Sequence, residues 1–210
     1  MLTNRYKAGY ASLTRPLAQQ LVRWRIHPSA ITVAGLVLVA ASCAWLILTR
    51  HVLSFCLFVT IATLFDALDG AVARAAGRAT AFGAYLDAMC DRYGEALVIV
   101  TVAWLTGYWL LSAIGLAGAL LISYAKARAA MEVSVSNLEW PDLMERTERD
   151  VFYIAGLAAS RLWPVRIGGH DLFWWTLAAF GVLTHVTVAQ RMRRAGRLIR
   201  ARSTPAESAG

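Results

Sequence analysis

The chain of 210 residues has little charge and little cysteine. Charged residues make up 16% of it and hydrophobic residues 58%, and its mean hydropathy is +0.51. Because soluble domains carry about 25% charged residues, this composition excludes an ordinary soluble protein and indicates an integral membrane protein. The three cysteines have neither metal-ligand nor disulfide spacing, and the four histidines show no ligand spacing. We therefore expect the cysteines to be packing residues.

The chain also lacks an internal repeat and an apolar N-terminal segment of the kind that is cleaved from secreted proteins. Residues 6–24 instead interleave apolar side chains with Arg and Gln. This pattern predicts an amphipathic helix that lies in the cytoplasmic interface of the membrane. We expect a single domain in which residues 1–27 form this interfacial helix, residues 28–192 a six-helix core and residues 193–210 a basic tail.

Six segments are apolar enough to predict membrane-spanning helices, since a span needs about 20 mostly apolar residues. They are residues 31–49, 52–76, 82–106, 108–125, 151–163 and 172–189. The fifth segment is short, and we expect its helix to begin nearer Glu148. The predicted fold class is an all-α integral membrane protein with six transmembrane helices and the interfacial helix.

Lysine and arginine are distributed unequally between the two sides of these spans. One side carries the basic residues of the interfacial helix, of the connector after the second span and of the basic tail. It also carries those between the fourth and fifth spans. The other side carries Arg50, Arg161 and Arg166. The positive-inside rule therefore predicts a cell-membrane protein with both termini in the cytoplasm. The net charge of +8 then suits anionic headgroups or phosphate substrates rather than nucleic acid.

Four aspartates occupy the second and third apolar segments at helical spacing. The pattern Asp-x-x-Asp-Gly-x-x-Ala-Arg runs from Asp66 to Arg74, and Gly-x-x-x-Asp-x-x-x-Asp runs from Gly83 to Asp91. Residues three and four apart share a helix face, so each pair of carboxylates projects together. A short connector allows the two helices to pack antiparallel and the pairs to converge. Ionisable groups at membrane depth are costly, so this cluster predicts a functional site at the cytoplasmic ends of both helices.

The cluster predicts a metal centre, because four neighbouring carboxylates repel one another unless cations neutralise them. A hard divalent ion is the simplest cation for a site of oxygen ligands. Four carboxylates suit one or two ions of Mg²⁺ or Mn²⁺, and we expect two. Such ions clamp phosphate oxygens and stabilise the charge that moves in phosphoryl transfer. The structural alternative is a buried ion-pair network in which Arg74 and Arg92 neutralise the acids.

This pattern of aspartate, glycine and Ala-Arg positions resembles the signature of the CDP-alcohol phosphotransferase family, and no position differs from it. Members of the family are also called CDP-alcohol phosphatidyltransferases. This resemblance implies transfer of a substituted phosphate from a CDP-linked donor, often CDP-diacylglycerol, to an alcohol, with release of CMP. It implies metal ligation by Asp66, Asp69, Asp87 and Asp91, the last of which takes the acceptor's proton. It places the CDP group at Asp69, Gly70, Ala73, Arg74 and Gly83. Family members commonly form homodimers, and we expect one here.

A second group of polar residues lies at the predicted cytoplasmic ends of the last three spans. The group comprises Ser123, Lys126, Arg146, Arg149 and Arg191. It is similar to the pattern in the family branch that makes phosphatidylinositol phosphate, which implies that these residues bind the phosphate of an acceptor such as inositol 1-phosphate. Two alternatives stay open. Glycerol 3-phosphate as the acceptor also needs a cationic pocket, and the positive-inside rule alone would place lysine and arginine at these positions.

Two other classes of function are weighed against this one. Intramembrane prenyltransferases also use aspartate-rich motifs and Mg²⁺, but on well-separated helices of longer chains. A cation transporter could use the acids as an ion site, yet transporters usually show repeated halves and broken helices, and the sequence has neither. Release of CMP from a CDP-lipid distinguishes the predicted enzyme from both.

Overall fold

The computed structural model describes residues 16, 20, 22–24, 27–77, 79–132 and 143–203, without the side chains of residues 65–67, 69, 71, 202 and 203. These residues form the helices α1 (Pro28–Thr49), α2 (Val52–Ala75), α3 (Ala81–Thr106), α4 (Trp109–Glu132), α5 (Arg146–Leu162) and α6 (Leu172–Ser203). An antiparallel pair of two-residue strands, β1 (Arg166–Ile167) and β2 (His170–Asp171), precedes α6. Most of the predicted interfacial helix lies outside the described residues, although residues 16, 20, 22 and 23 are helical.

Three of the described helices are long and apolar enough to cross a membrane. They are α1, α4 and the part of α6 over Leu172–Ala201. In α2 the apolar stretch covers Val52–Leu64, ahead of the aspartates. The prediction of a helical membrane protein is therefore confirmed. That the chain has six membrane-spanning helices stays a prediction.

The chain divides into two compact units, Met1–Thr101 and Val102–Gly210. In the first unit α1 and α2 form a helical hairpin. Arg50 takes a left-handed φ of 59° and donates its backbone N–H to the Leu46 carbonyl, which ends α1. Trp45 Nε1 donates to Ser54 Oγ at 2.9 Å across the turn, and Phe55 of α2 is fully buried. The hairpin thus holds α2 in register with α1.

Polar side chains cap the starts of two helices. At α1, Nδ1 of His27 accepts a hydrogen bond from the Ser29 N–H at 3.3 Å, and Pro28 follows at the first helical position. At α6, Oδ1 of Asp171 accepts the Trp174 N–H at 2.8 Å. Each side chain satisfies a backbone N–H that has no partner within its helix, so these boundaries follow from local chemistry.

In the second unit α6 packs against both α4 and α5. Gly115 and Gly118 of α4 face Phe180 and Thr184 of α6, and a Cβ at Gly115 would lie 2.6 Å from Phe180 Cδ1. Glycine therefore permits the close approach of these helices. Tyr153 of α5 meets the Phe180 ring edge-on, with 5.5 Å between ring centroids. The small-residue face of α4 and the aromatic side chains of α5 and α6 build this core.

The predicted basic tail continues α6, which remains helical as far as Ser203. Residues 204–210 lie outside the described residues. The division of a single domain into an interfacial helix, a six-helix core and a basic tail stays a prediction.

Candidate active site

The four aspartates lie on two helices of the first unit. Asp66 and Asp69 belong to α2, and their side chains lie outside those described. Asp87 and Asp91 lie one turn apart on α3, and both are half-buried. The structure thus brings the second pair onto one helix face, and the convergence of all four carboxylates stays a prediction.

The start of α3 is fixed by Thr80, which is absent from the residues predicted above. Its Oγ1 accepts the Gly83 N–H at 3.0 Å, and its backbone carbonyl accepts the Ala84 N–H at 3.1 Å. A Cβ at Gly83 would lie 3.1 Å from the same Oγ1, so glycine gives this cap room to close. Because Asp87 follows Gly83 by one helical turn, the cap determines where the carboxylate pair begins. The sequence signal for this helix cap is a threonine three residues before Gly83.

On α2 the side chain of Arg74 folds back over Gly70. A Cβ at Gly70 would lie 3.3 Å from Nη1 of Arg74, closer than most side chains tolerate. Ala73 is half-buried beside them, while Arg74 is exposed. The small residue therefore leaves room for a guanidinium that can bind phosphate through two parallel hydrogen bonds.

Arg92 of α3 lies between two carboxylates of its own helix. Its Nη1 donates to Oε2 of Glu95 at 2.7 Å, and its Nη2 lies 3.9 Å from Oδ2 of Asp91. The Glu95 side chain is 5% exposed and that of Asp91 is 12% exposed. Arg92 thus forms its shorter ion pair with Glu95 and a longer one with Asp91, and the alternative of a network that neutralises the aspartates stays a hypothesis.

The donor set suits a hard divalent ion. Asp87 and Asp91 supply oxygen ligands one turn apart in a half-buried setting, where two carboxylates raise each other's energy unless a cation lies between them. Among the described side chains no group of three or more acidic, histidine or cysteine residues is placed to hold a metal. Asp66 and Asp69 fall outside that set, and a metal centre built from both pairs stays a prediction.

The predicted acceptor residues all belong to the second unit. Ser123 and Lys126 share a face of α4, and both are half-buried. Arg191 of α6 is 5% exposed and donates from Nη1 to the backbone carbonyl of Ile122. This contact brings Arg191 beside the end of α4 that carries Ser123 and Lys126.

The helix α5 contributes the other two predicted residues, Arg146 and Arg149. Arg149 is 2% exposed, and its Nη1 donates to the Met144 carbonyl at 3.1 Å. Arg146 is half-buried, with Nε 3.7 Å from Oδ2 of Asp150. A buried guanidinium is costly unless its donors are satisfied, and the Met144 carbonyl satisfies one donor of Arg149.

A match to a protein family identifies the chain as a membrane-bound transferase of substituted phosphate groups. The profile of the CDP-alcohol phosphatidyltransferase family matches residues 25–185. The chain therefore belongs to the CDP-alcohol phosphatidyltransferase family, as the spacing of its aspartates predicted.

Its relatives include phosphatidylinositol phosphate synthases. The enzyme of Mycobacteroides abscessus is 35% identical over 190 residues, which cover 87% of this chain and 83% of that enzyme. The crystal structure of the Mycobacterium tuberculosis enzyme with CDP-DAG bound superposes with a TM-score of 0.78 at 26% identity, covering 95% of this chain and 98% of the other. The same enzyme in complex with manganese and citrate gives a TM-score of 0.76 at 27% identity, covering 94% and 92%. The manganese in that neighbour supports a divalent metal for this fold.

Proposed function

We propose that the protein transfers the phosphatidyl group of CDP-diacylglycerol to the hydroxyl of inositol 1-phosphate and releases CMP. The observation that carries this proposal is the unbroken motif from Asp66 to Asp91 on α2 and α3. Two deeply buried arginines, Arg149 and Arg191, supply the positive charge that a phosphorylated acceptor needs. The names and the CDP-DAG of the relatives support the same donor and acceptor.

On the donor side, acidic residues hold the metal and small residues make room for CDP. The proposed ligands of two Mg²⁺ or Mn²⁺ ions are Asp66, Asp69, Asp87 and Asp91. When bound, such ions neutralise the charge of the pyrophosphate and of its leaving group. The proposed CDP contacts are Asp69, Gly70, Ala73, Arg74 and Gly83. Arg74, exposed over Gly70, donates to phosphate oxygens.

The reaction forms one P–O bond and breaks another. The acceptor oxygen attacks the phosphorus that carries diacylglycerol, and the bond from this phosphorus to the bridging oxygen breaks, so that CMP leaves with that oxygen. Asp91 accepts the proton of the acceptor hydroxyl. A half-buried carboxylate is suited to this role, because general-base catalysis needs a positioned acceptor within hydrogen-bond reach of the proton.

On the acceptor side, the second unit supplies donors for the phosphate of inositol 1-phosphate. We assign this role to Ser123, Lys126, Arg146, Arg149 and Arg191. The planar guanidinium matches phosphate geometry, and the serine hydroxyl adds one more donor. The half-buried positions of Ser123 and Lys126 and the low exposure of Arg149 and Arg191 strengthen such hydrogen bonds, because little water competes for them.

We place this chemistry at the cytoplasmic face of the cell membrane, in a single domain with six spans. The distribution of lysine and arginine in the sequence supports this orientation, with both termini in the cytoplasm. We also propose that residues 6–24 form the interfacial helix and that two copies of the chain form a homodimer. Labelling of single cysteines introduced near each terminus, in sealed cells and after permeabilisation, tests the orientation.

Release of CMP tests the proposed reaction. Purified protein is incubated with CDP-diacylglycerol and Mg²⁺, in parallel with inositol 1-phosphate, inositol, glycerol 3-phosphate or serine. We expect release that depends on inositol 1-phosphate and stops when EDTA removes the metal. Release with glycerol 3-phosphate instead would keep the catalytic site and make the enzyme a phosphatidylglycerophosphate synthase. Absence of release with every acceptor would contradict the proposed donor.

A further inference from the structure

The segment between α5 and α6, which contains the β1–β2 hairpin, exposes several large apolar side chains. The set, called here the apolar patch, comprises Leu162, Trp163, Val165 and Ile167, and each is more than half exposed. Gly168 and Gly169 close the hairpin with φ values of 60° and 83°, which glycine adopts without strain. Exposed apolar side chains that are grouped together mark a surface that interacts with another molecule.

The other face of the β1–β2 hairpin is held by polar contacts. Arg166 lies opposite Asp171 in the antiparallel pair, and Ile167 lies opposite His170. Residues directly opposite share a face and successive residues alternate, so Arg166 and Asp171 lie on one face and Ile167 on the other. Because Asp171 accepts the hydroxyl of Tyr108 at 2.9 Å, the polar face is turned toward the start of α4.

The hairpin lies at the ends of two helices that are long and apolar enough to cross a membrane. These helices are α4, which begins at Trp109, and α6, which begins at Leu172. The hydrogen bond between Tyr108 and Asp171 joins the residues that precede them. The apolar stretch of a span begins where the hydrocarbon of the bilayer begins. The hairpin therefore lies close to the boundary between headgroups and acyl chains.

The hairpin also contacts the face of α6 that is exposed along the span. This face, at spacings of four, three and four residues, carries Trp175, Ala179, Val182 and Val186, and all four are exposed. Trp175, the first of them, donates from Nε1 to the Ile167 carbonyl at 3.0 Å. An exposed apolar face of a membrane-spanning helix contacts acyl chains, so the apolar patch lies on the lipid side of the first turn of α6.

We propose that the apolar patch inserts into the phospholipid boundary between headgroups and acyl chains and anchors this end of α6 there. Tryptophan suits that position, because its ring is apolar and its N–H is polar. The exposed Arg161, in the last turn of α5, supplies a positive charge that complements lipid phosphate. The inference depends on the membrane class of the protein and not on the proposed reaction.

Nitroxide labels on Val165→Cys, Arg166→Cys and Ile167→Cys test this inference in the full-length protein. In nanodiscs of phosphatidylcholine and phosphatidylglycerol, electron paramagnetic resonance measures collisions with oxygen, which enters the acyl chains, and with a nickel chelate, which stays in water. We expect the labels at positions 165 and 167 to lie roughly 5–10 Å into the boundary. The label at position 166, on the polar face, should meet less oxygen and more nickel. Equal accessibility at all three positions, or mostly nickel collisions at 165 and 167, would overturn the inference.

Matched labels mark the two extremes of the scale. Val182→Cys lies on the exposed face of α6 and reports acyl chains, and Glu148→Cys, exposed at the start of α5, reports water. The wild type gives the background signal, because its three cysteines are buried. Thermal unfolding checks that each labelled variant is folded. Magnetic coupling between two labels at position 165 would show that a second copy of the chain covers the patch, which would also overturn the inference.

Photo-crosslinking of the wild type tests the same inference without any substitution. The nanodiscs contain a phospholipid with a diazirine at the headgroup end of its acyl chain, and the irradiated protein is digested with trypsin. Cleavage after Arg161 and Arg166 releases residues 162–166, which carry Trp163 and Val165. We expect lipid adducts on this peptide. Residues 167–191, which include the exposed face of α6, are the positive control. Adducts on the control peptide and none on residues 162–166 would overturn the inference.

Discussion

The hydroxyl of Tyr108 donates a hydrogen bond to Oδ2 of Asp171 at 2.9 Å, across 63 positions of sequence. The other oxygen of the same carboxylate, Oδ1, accepts the Trp174 N–H at the start of α6. One aspartate therefore joins the residue before α4 to the first turn of α6, in the second unit. The contact lies at the ends of α4 and α6 opposite to Lys126 and Arg191, so it contributes to stability rather than to the proposed chemistry.

Removal of this hydroxyl should weaken the folded state. Tyr108→Phe deletes the donor and leaves Asp171 with a half-buried oxygen, and we expect a loss of about 1 kcal/mol in the free energy of unfolding. Thermal unfolding of detergent-purified protein measures the change. Tyr124→Phe is the control, because Tyr124 is 64% exposed. An equal fall in both variants would contradict the assigned role of the hydrogen bond.

The same contact predicts a dependence of stability on alkaline pH. Burial, together with the hydrogen bond to Asp171 and its negative charge, raises the pKa of Tyr108 above its ordinary value of 10.0. The folded state thus holds this proton more tightly than the unfolded state. The contribution of Tyr108 is complete below pH 10 and is lost as the pH rises through the raised pKa. Unfolding curves of the wild type and of Tyr108→Phe should therefore approach each other above pH 10, and a constant gap would contradict this.

The contact between α4 and α6 should tolerate no added methyl group at Gly118. A Cβ there would overlap the Thr184 side chain, which lies directly opposite. We expect Gly118→Ala to destabilise the protein by about 1–3 kcal/mol, as overpacking of a close helix contact does. Gly35→Ala in α1 is the matched control, because a Cβ at Gly35 meets nothing within 4 Å. If both variants melt at the wild-type temperature, the close packing of α4 on α6 is wrong.

Asp91→Asn should abolish turnover without unfolding the protein. The amide keeps the size of the side chain and an oxygen ligand but cannot accept the proton of the acceptor, so CMP release should fall by at least about 100-fold at saturating metal. Retained binding of CDP-diacylglycerol would show that the donor site is intact. Turnover near the wild-type rate would refute the assignment of Asp91 as the base.

Lys126→Ala should affect the acceptor and spare the donor. Loss of one charged donor to the acceptor phosphate should raise the KM for inositol 1-phosphate about tenfold or more, with the KM for CDP-diacylglycerol little changed. Arg128→Ala is the matched control, since Arg128 lies on the same helix, is exposed and pairs with Glu132. A change confined to the donor KM would mean that the acceptor pocket is elsewhere.

Much of the site could be predicted from sequence because helix geometry is regular. The spacing of Asp87 and Asp91 is enough to place both on one face of α3, and the aspartate motif is enough to identify the family. Small residues such as Gly115 and Gly118, three apart on one helix, are likewise a sequence signal for a close helix contact. Each of these signals depends on residues within one or two turns of a helix, and the family motif combines one such segment of α2 with one of α3.

Other contacts could not be predicted, because they depend on tertiary structure or on a choice of rotamer. Nothing in the sequence pairs Tyr108 with Asp171, and the β1–β2 hairpin before α6 has no run of strand-forming residues. Spacing places Arg92 and Glu95, three residues apart, on neighbouring positions of one helix face, but their close approach of 2.7 Å depends on the rotamers of both side chains.

Mass spectrometry of the lipid product tests the central claim most directly. Purified protein, CDP-diacylglycerol, Mg²⁺ and inositol 1-phosphate are incubated together, and lipid and nucleotide products are quantified in the same sample. The account predicts phosphatidylinositol phosphate and CMP in equal amounts, with both lost in Asp91→Asn. Formation of CMP with phosphatidic acid, or with no new lipid that contains inositol phosphate, would contradict it.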